Sequence, residues 1–283
     1  MHRFSILLAL ATFVLIIAGG LVTSTGSGLA VPDWPLSYGQ VFPPMIGGIR
    51  FEHTHRVIAG TVGVLTLFFM LGLLRTERRR WVKQLGVAAF LAVVLQAVLG
   101  GLTVIYLLPK AVSVSHACLA QSFFSLIAAL ALVTSKEWLY EKRRTTKNAK
   151  PVQRLSLMIA VFAFCQLAAG AVVRHAHGRG VIVHILLALL ILLHILLVGL
   201  KISKEELSNE KLFSHALFLG AFVITQIGLG FGTYISKYLL PPAEAPRLDT
   251  VLLATAHQSL GALILAAAVL LALRSHRLLI SAC

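Results

Sequence analysis

The chain has 283 residues, 58% hydrophobic and only 12% charged, with a formal net charge of +15. That balance excludes a soluble globular protein and places the chain among polytopic membrane proteins. The positive charge falls in clusters between apolar runs rather than on one basic face, so it reads as membrane orientation, and no nucleic-acid partner is expected.

In chain order, apolar segments run roughly over 4–23, 55–74, 84–108, 112–134, 155–173, 181–200, 213–235 and 250–273, each near the 20 residues that span a bilayer. The first follows His2 and Arg3 like a signal peptide, but no Ala-x-Ala site comes after it and it is long enough to span, so it reads as a retained helix. The next stretch, 24–54, carries Gly26, Gly28, Pro32-Asp33-Trp34-Pro35 and Pro43-Pro44, which predict ordered turns folded over one face, with Trp34 and Tyr38 at headgroup level. It leads into Glu52-His53-Thr54-His55-Arg56, one polar helical turn at a membrane edge. Glu52 and His55 share a helix face there, and Glu52 reaches Arg56.

Every second connection is basic. Arg75, Arg78, Arg79, Arg80 and Lys83 follow the second span, and Lys136 to Arg154 follow the fourth. Lys201, Lys204 and Lys211 follow the sixth; Arg274 and Arg277 follow the eighth. These segments are expected in the cytoplasm with both termini, and the loops near 24–54, 109–111, 174–180 and 236–249 outside. Cys118, Cys165 and Cys283 are too scattered for a metal motif.

The polar segment 135–154 divides the chain into halves 1–134 and 155–283, and a repeat supports the division. Gln96-x3-Gly100-x2-Thr103 recurs as Gln226-x3-Gly230-x2-Thr233; the fifth span carries Gln166-x3-Gly170, and the first keeps Gly20 and Thr23. Small residues and a glutamine at such spacing favour helix packing over a direct ligand role. The expected fold is all-α, eight transmembrane helices as two tandem four-helix bundles related by a pseudo-two-fold axis along the membrane normal.

Each even-numbered span has a histidine near its outer end and a small residue four positions on: His55 and Ala59, His116 and Ala120, His184 and Ala188, His257 and Gly261. A small residue one turn deeper leaves room for a flat macrocycle. Four membrane histidines suit a proton relay, a metal site or axial ligation of haem. Their equivalence and division into pairs favour two haems, one held by His55 and His116 and one by His184 and His257. No carboxylate or thiolate accompanies all four, which weighs against zinc or di-iron. His2, His194, His215 and His276 read as structural, His53 as interfacial, and His175 and His177 as either solvated or near haem propionates. Arg50, Arg56, Lys110, Arg174, Arg179 and Arg247 are the outer cations available to propionates.

Glu52-x-x-His55-Arg56 after a Gly/Ser-rich loop, the Gly19-Gly20-Leu21-Val22-Thr23 run with Gly26-Ser27-Gly28-Leu29, Asp33-Trp34, and histidines heading the fourth, sixth and eighth spans together resemble the haem A synthase family. The resemblance implies oxidation of the C8 methyl of haem O to the formyl of haem A, which cytochrome oxidase uses. It implies haem b held by His184 and His257, substrate haem O between His55 and His116, and Glu52 as the catalytic carboxylate. Arg56, Arg174 and Arg247 become candidate propionate contacts. Implied partners are haem O, haem O synthase, cytochrome oxidase assembly and membrane lipid; a homo-oligomer is compatible. The implied location is a prokaryotic plasma membrane, with the haem sites near its outer face. Some members carry outer-loop cysteine pairs; this chain has none there, so a mechanism relying on such a disulfide is excluded. A quinol-linked di-haem b electron-transfer protein is the rival reading, and Glu52 beside a ligand favours the enzyme.

Overall fold

The computed structural model describes residues 1–175, 178–203, 210–241 and 245–282; Lys204, His177, Cys283 and the His175 side chain lie outside the described residues. Its elements are α1 (His2–Ser24), α2 (Ile49–Thr76), α3 (Arg80–Ile105), α4 (Lys110–Val133), short α5 (Lys136–Tyr140), β1 (Arg144–Thr146), α6 (Ala149–His175), α7 (Val181–Ser203), α8 (Glu210–Tyr234), α9 (Leu248–Leu278) and β2 (Leu279–Ser281). Among the described residues, eight helices are long and apolar enough to cross a membrane. The protein is an all-α, multi-pass membrane protein apart from the three-residue strands β1 and β2, which pair in parallel.

Helices follow from the solvent: in hydrocarbon every backbone N–H must find its partner within the segment. Apolarity does not distinguish the inner face from the lipid face, so size and polarity do. On α1 the buried positions are Ser5, Leu8, Thr12, Ile16 and Gly20, while Leu7, Leu10 and Val14 face outward. Buried hydroxyls are satisfied one turn back, as Thr12 Oγ1 donates to the Leu8 carbonyl at 2.7 Å and Thr66 Oγ1 to the Val62 carbonyl at 2.7 Å.

Helix α1 packs on α2 and α4, with α3 closing the ring between α2 and α4. Helices α6, α7, α8 and α9 close a second ring the same way, and the rings meet where α9 contacts α1 and α4 and where α4 contacts α6. Leu8, Val62, Phe69 and Ile127 fill the first ring. Ile159, Ile195, Leu219 and Leu271 fill the second, and Ile16, Phe124, Ala262 and Ala266 form a small apolar joint between them.

Two boundaries differ from expectation. Helix α2 starts at Ile49, ahead of the apolar segment expected from 55, so Glu52 sits in its first turn. Gly48 makes this start fit: a Cβ there would come within 2.8 Å of the Ala30 Cβ, so only glycine lets the loop close against the helix. Helix α6 starts at Ala149, taking in polar residues read as linker, because Gln153 Nε2 finds the Leu279 carbonyl at 3.1 Å beside the β1–β2 pair.

Candidate functional site

The four histidines share one local environment. Each ring lies against a glycine of the preceding membrane helix, which runs antiparallel beside its own. A Cβ at Gly19 would come 3.1 Å from His55 Cε1, at Gly100 3.2 Å from His116 Cε1, at Gly170 2.9 Å from His184 Cε1 and at Gly230 3.0 Å from His257 Cε1. A Cβ at Gly170 would force a shift, and at the other three positions it would come closer than nearly all real contacts, so each ring would have to give by a few tenths of an ångström. The sequence reading placed Gly20 in the repeat; the structure places Gly19 there, and Gly20 instead faces Thr255 and Gln258 of α9. The spacing was present in the sequence as Leu15-x3-Gly19, concealed because leucine stands where the other three repeats have glutamine.

The glutamines hold the histidines. His184 Nδ1 bonds the Gln166 carbonyl at 3.1 Å and His257 Nδ1 the Gln226 carbonyl at 3.1 Å. With Nδ1 protonated, Nε2 carries the lone pair that ligates a metal; here it lies 3.3 and 3.4 Å from the Gln166 and Gln226 amides. The Gln96 and Gln226 amides donate to the His116 and His257 carbonyls at 3.0 and 2.9 Å. The glutamines therefore bond across neighbouring helices at the histidine turn, in keeping with the packing reading.

His184 and His257 face each other with ring centroids 6.1 Å apart and planes at 65°. Metal–imidazole bonds of about 2 Å on either side of one iron put ligand ring centroids about 6 Å apart, so this pair fits a bis-imidazole haem. His55 and His116 lie within electrostatic range of each other. Buried polar atoms left without a partner gather at the same places: Nδ1 of His55 and His116, and Oε1 of Gln96, Gln166 and Gln226. Native interiors leave few such atoms, and a polar bound group accounts for a cluster of them.

Glu52, one turn outward from His55, is buried with both carboxylate oxygens engaged. Oε1 pairs with Arg56 Nη2 at 2.6 Å and Oε2 accepts from the Val31 N–H at 2.9 Å. Arg56 also donates to the carbonyls of Asp33, at 2.7 Å, and Leu36. The ion pair thus ties the 31–36 stretch to α2. Asp33 closes the next turn by accepting from Tyr38 N and Gly39 N, each at 2.7 Å, and this holds its carboxyl below the ordinary range, with the Gly39 N–H as the largest cause. Trp34 sits on Gly101 of α3, where a Cβ would approach the indole within 2.9 Å.

The outer cations separate by partner. Arg247 is exposed and pairs with Asp249 at 2.8 Å. Arg50 lies over the Phe51 ring, 4.8 Å from its centroid, and Arg179 is exposed. Arg174 differs: among the described residues it has only neutral partners, Gln258 Oε1 at 2.8 Å and Ser24 Oγ at 3.2 Å. The remaining described histidines are hydrogen-bonded away from the four: His2 to the Ala131 carbonyl, His53 to Ser37, His194 to the Leu190 carbonyl, His215 to Arg274 and His276 to the Ala272 carbonyl.

Residues 2–47 and 49–183 match the cytochrome oxidase assembly protein family COX15-CtaA. The chain belongs to this family. The matched stretch holds Glu52, His55 and His116 and stops one residue before His184. Curated relatives include proteins named "Heme A synthase". That of Bacillus licheniformis is 28% identical over 172 residues, 60% of this chain and 57% of its own length. That of Halalkalibacterium halodurans is 30% identical over 191 residues, 63% of this chain and 62% of its own length. That of Alkalihalophilus pseudofirmus is 24% identical over 186 residues, 63% of this chain and 62% of its own length. The chain aligns with about three-fifths of the length of these relatives.

Proposed function

We propose that this protein is a haem A synthase, an oxidoreductase converting the C8 methyl of haem O to the formyl of haem A for cytochrome oxidase. The observation that carries the reading is the fourfold histidine-on-glycine site in a member of a cytochrome oxidase assembly family. The halves 1–134 and 155–283 act as tandem four-helix units with pseudo-two-fold symmetry, joined by the cytoplasmic segment 135–154. The membrane is the prokaryotic plasma membrane, both termini are cytoplasmic, and the histidines lie toward the outer face.

In the C-terminal half, His184 and His257 hold haem b, which supplies a one-electron redox centre when bound. In the N-terminal half, His55 and His116 hold the haem O being oxidised. Glu52 is the catalytic residue: its carboxylate lies one turn from His55, where it offsets positive charge developing at the oxidised carbon or takes a proton from water. The same carboxylate anchors the outer loop through Arg56 and Val31, so the closed loop and the placed charge are one arrangement. Of the candidate propionate contacts, Arg56 and Arg247 already have carboxylates; Arg174, half-buried and with neutral partners only among the described residues, is the one that receives a propionate, because a partly desolvated cation gains from an anion.

Expression in cells that make haem O but lack their own synthase tests the reading. Extracted haem A is the expected result. Haem O left unchanged by a protein that carries haem b in both halves would instead fit the electron-transfer rival. Glu52→Ala should retain haem and lose product; retained product removes Glu52 from the chemistry.

A further inference from the structure

Where the two rings meet, toward α5 and away from the histidines, lies an apolar groove of about 600 Å³ walled by both halves: Trp81 of α3 and Ala129 of α4 on one side, Ala160, Val161 and Phe164 of α6 and Leu265 of α9 on the other. Val161 and Phe164 stand exposed in the middle of α6, so the groove opens to hydrocarbon rather than to water. Its hydroxyls are already spent, as Ser122 Oγ donates to the Cys118 carbonyl and Ser125 Oγ to the Gln121 carbonyl, each at 2.9 Å. Neither hydroxyl proton is left for a carbonyl headgroup such as a quinone's, and the wall suits an alkyl chain. At the α5 end the groove reaches Trp81 and Trp138, with ring centroids 6.3 Å apart. Indoles sit at headgroup depth. Cations gather at this end. Arg277, one turn beyond the lining residue Leu273, donates Nε to the Trp138 carbonyl at 2.9 Å. Arg80 adjoins Trp81, and Arg154 lies two turns before Val161 on the same face of α6; both are exposed. The carboxylates of the α2–α3 turn and of the α5 segment are taken, Glu77 by Arg79, Glu137 by Arg274 and Glu141 by Lys211. Arg80, Arg154 and Arg277 have no carboxylate partner among the described residues.

We propose that this groove binds one anionic phospholipid, with an acyl chain between the halves and the phosphate drawing on the cations at the Trp81–Trp138 end. Apolar walls alone select nothing inside a bilayer, because lipid tails are as apolar as leucine. A concave wall does more: it gives one chain contacts on two sides and keeps it from exchanging freely with its neighbours. Charge then decides which lipid stays. Basic pockets between membrane helices at headgroup depth hold anionic lipids, each Lys or Arg near the headgroups being worth about fivefold in affinity. A lipid seated here touches α3, α4, α6 and α9 at once, so it joins the two rings. The proposal is independent of the haem-binding reading.

The test uses the full chain carrying Trp34→Phe, which leaves Trp81 and Trp138 as its tryptophans. It is reconstituted in phosphatidylcholine vesicles in which a minor fraction, either phosphatidylglycerol or phosphatidylcholine itself, has brominated acyl chains that quench the indoles they touch. Brominated phosphatidylglycerol should quench with a relative affinity at least about fivefold above that of brominated phosphatidylcholine, and Arg154→Gln and Arg277→Gln should each cut this preference about fivefold. Thermal unfolding reports that each variant is folded, and either one suffices if the other folds poorly. Equal quenching by the two lipids, or a preference unmoved in a folded variant, overturns the proposal, because the lipids around the protein are then only a mobile annulus. A short-chain quinone that quenches both indoles at a lower mole fraction than brominated phosphatidylglycerol also overturns it, since the groove would then be a quinone site.

Discussion

A glycine beneath an imidazole fixes the ring by leaving no alternative place for it, and this can be tested one methyl group at a time. Gly170→Ala and Gly230→Ala introduce a Cβ at 2.9 and 3.0 Å from His184 and His257. Overpacking of this kind costs about 1–3 kcal/mol, and here the strain falls on a proposed ligand, so purified protein should show a marked loss of haem b absorbance. Gly199→Ala, with nothing within 4 Å, should retain it. The histidines themselves were legible in the sequence because they recur with a small residue four positions on. Gly19 was not, because spacing along one helix tells which residues share a face but not which neighbour that face meets. Gly20 has the spacing of the repeat and turns toward α9 instead.

At the scale of elements, the outer loop is held by a buried ion pair rather than by its own composition. Arg56→Ala would leave Glu52 with one partner and free the Asp33 and Leu36 carbonyls. Removing one member of a buried pair costs about 3–5 kcal/mol, so amide hydrogen exchange over 31–39 should rise sharply while the α6–α9 core keeps its protection. The α2–α3 turn carries a pH dependence of opposite location. Arg79 pairs with Glu77 at 2.8 Å and donates to the Val133 carbonyl at 3.0 Å, and it lowers the Glu77 carboxyl to about 2. A lowered carboxyl contributes stability that is complete above its ordinary value of about 4.3 and is lost as pH falls through about 2. Exchange protection at 77–83, taken relative to the intrinsic amide rate at each pH, should therefore stay constant from pH 7 to 5 and fall only in stronger acid; a fall already at pH 5 would contradict the pairing. Proline and glycine marked this loop as ordered, but the Val31 N–H and Ala30 contacts that order it join residues about twenty apart, a pairing no local pattern encodes.

For the whole molecule, the eight spans were legible because hydropathy over twenty residues dictates helices in lipid, and the alternating basic segments were visible for the same reason. How the two rings join was not, since it depends on small residues that look like any others in an apolar run. Ala262 and Ala266 lie against Ile16 and Phe124 at this joint. Ala262→Leu should lower the thermal midpoint by an amount corresponding to about 1–3 kcal/mol, read by unfolding in detergent, with little effect if the rings are held elsewhere. Elsewhere here means the α5 end of the molecule, where Glu137 of α5 takes Arg274 of α9 at 2.7 and 3.0 Å and β1 pairs with β2.

On the other side, Arg174 of α6 reaches Ser24 at the end of α1 and Gln258, the neighbour of His257, at once. A guanidinium shared in this way is a thermodynamic exchange point. On the proposed reading, an anion that pulls this guanidinium toward itself would loosen its hold on α1, α9 or both, so occupancy in one half would bear on the other. Linkage would make that influence mutual and equal in free energy: on the proposed assignment, whatever filling the C-terminal site does to affinity in the N-terminal site, filling the N-terminal site does in return, and Arg174→Gln would uncouple the two.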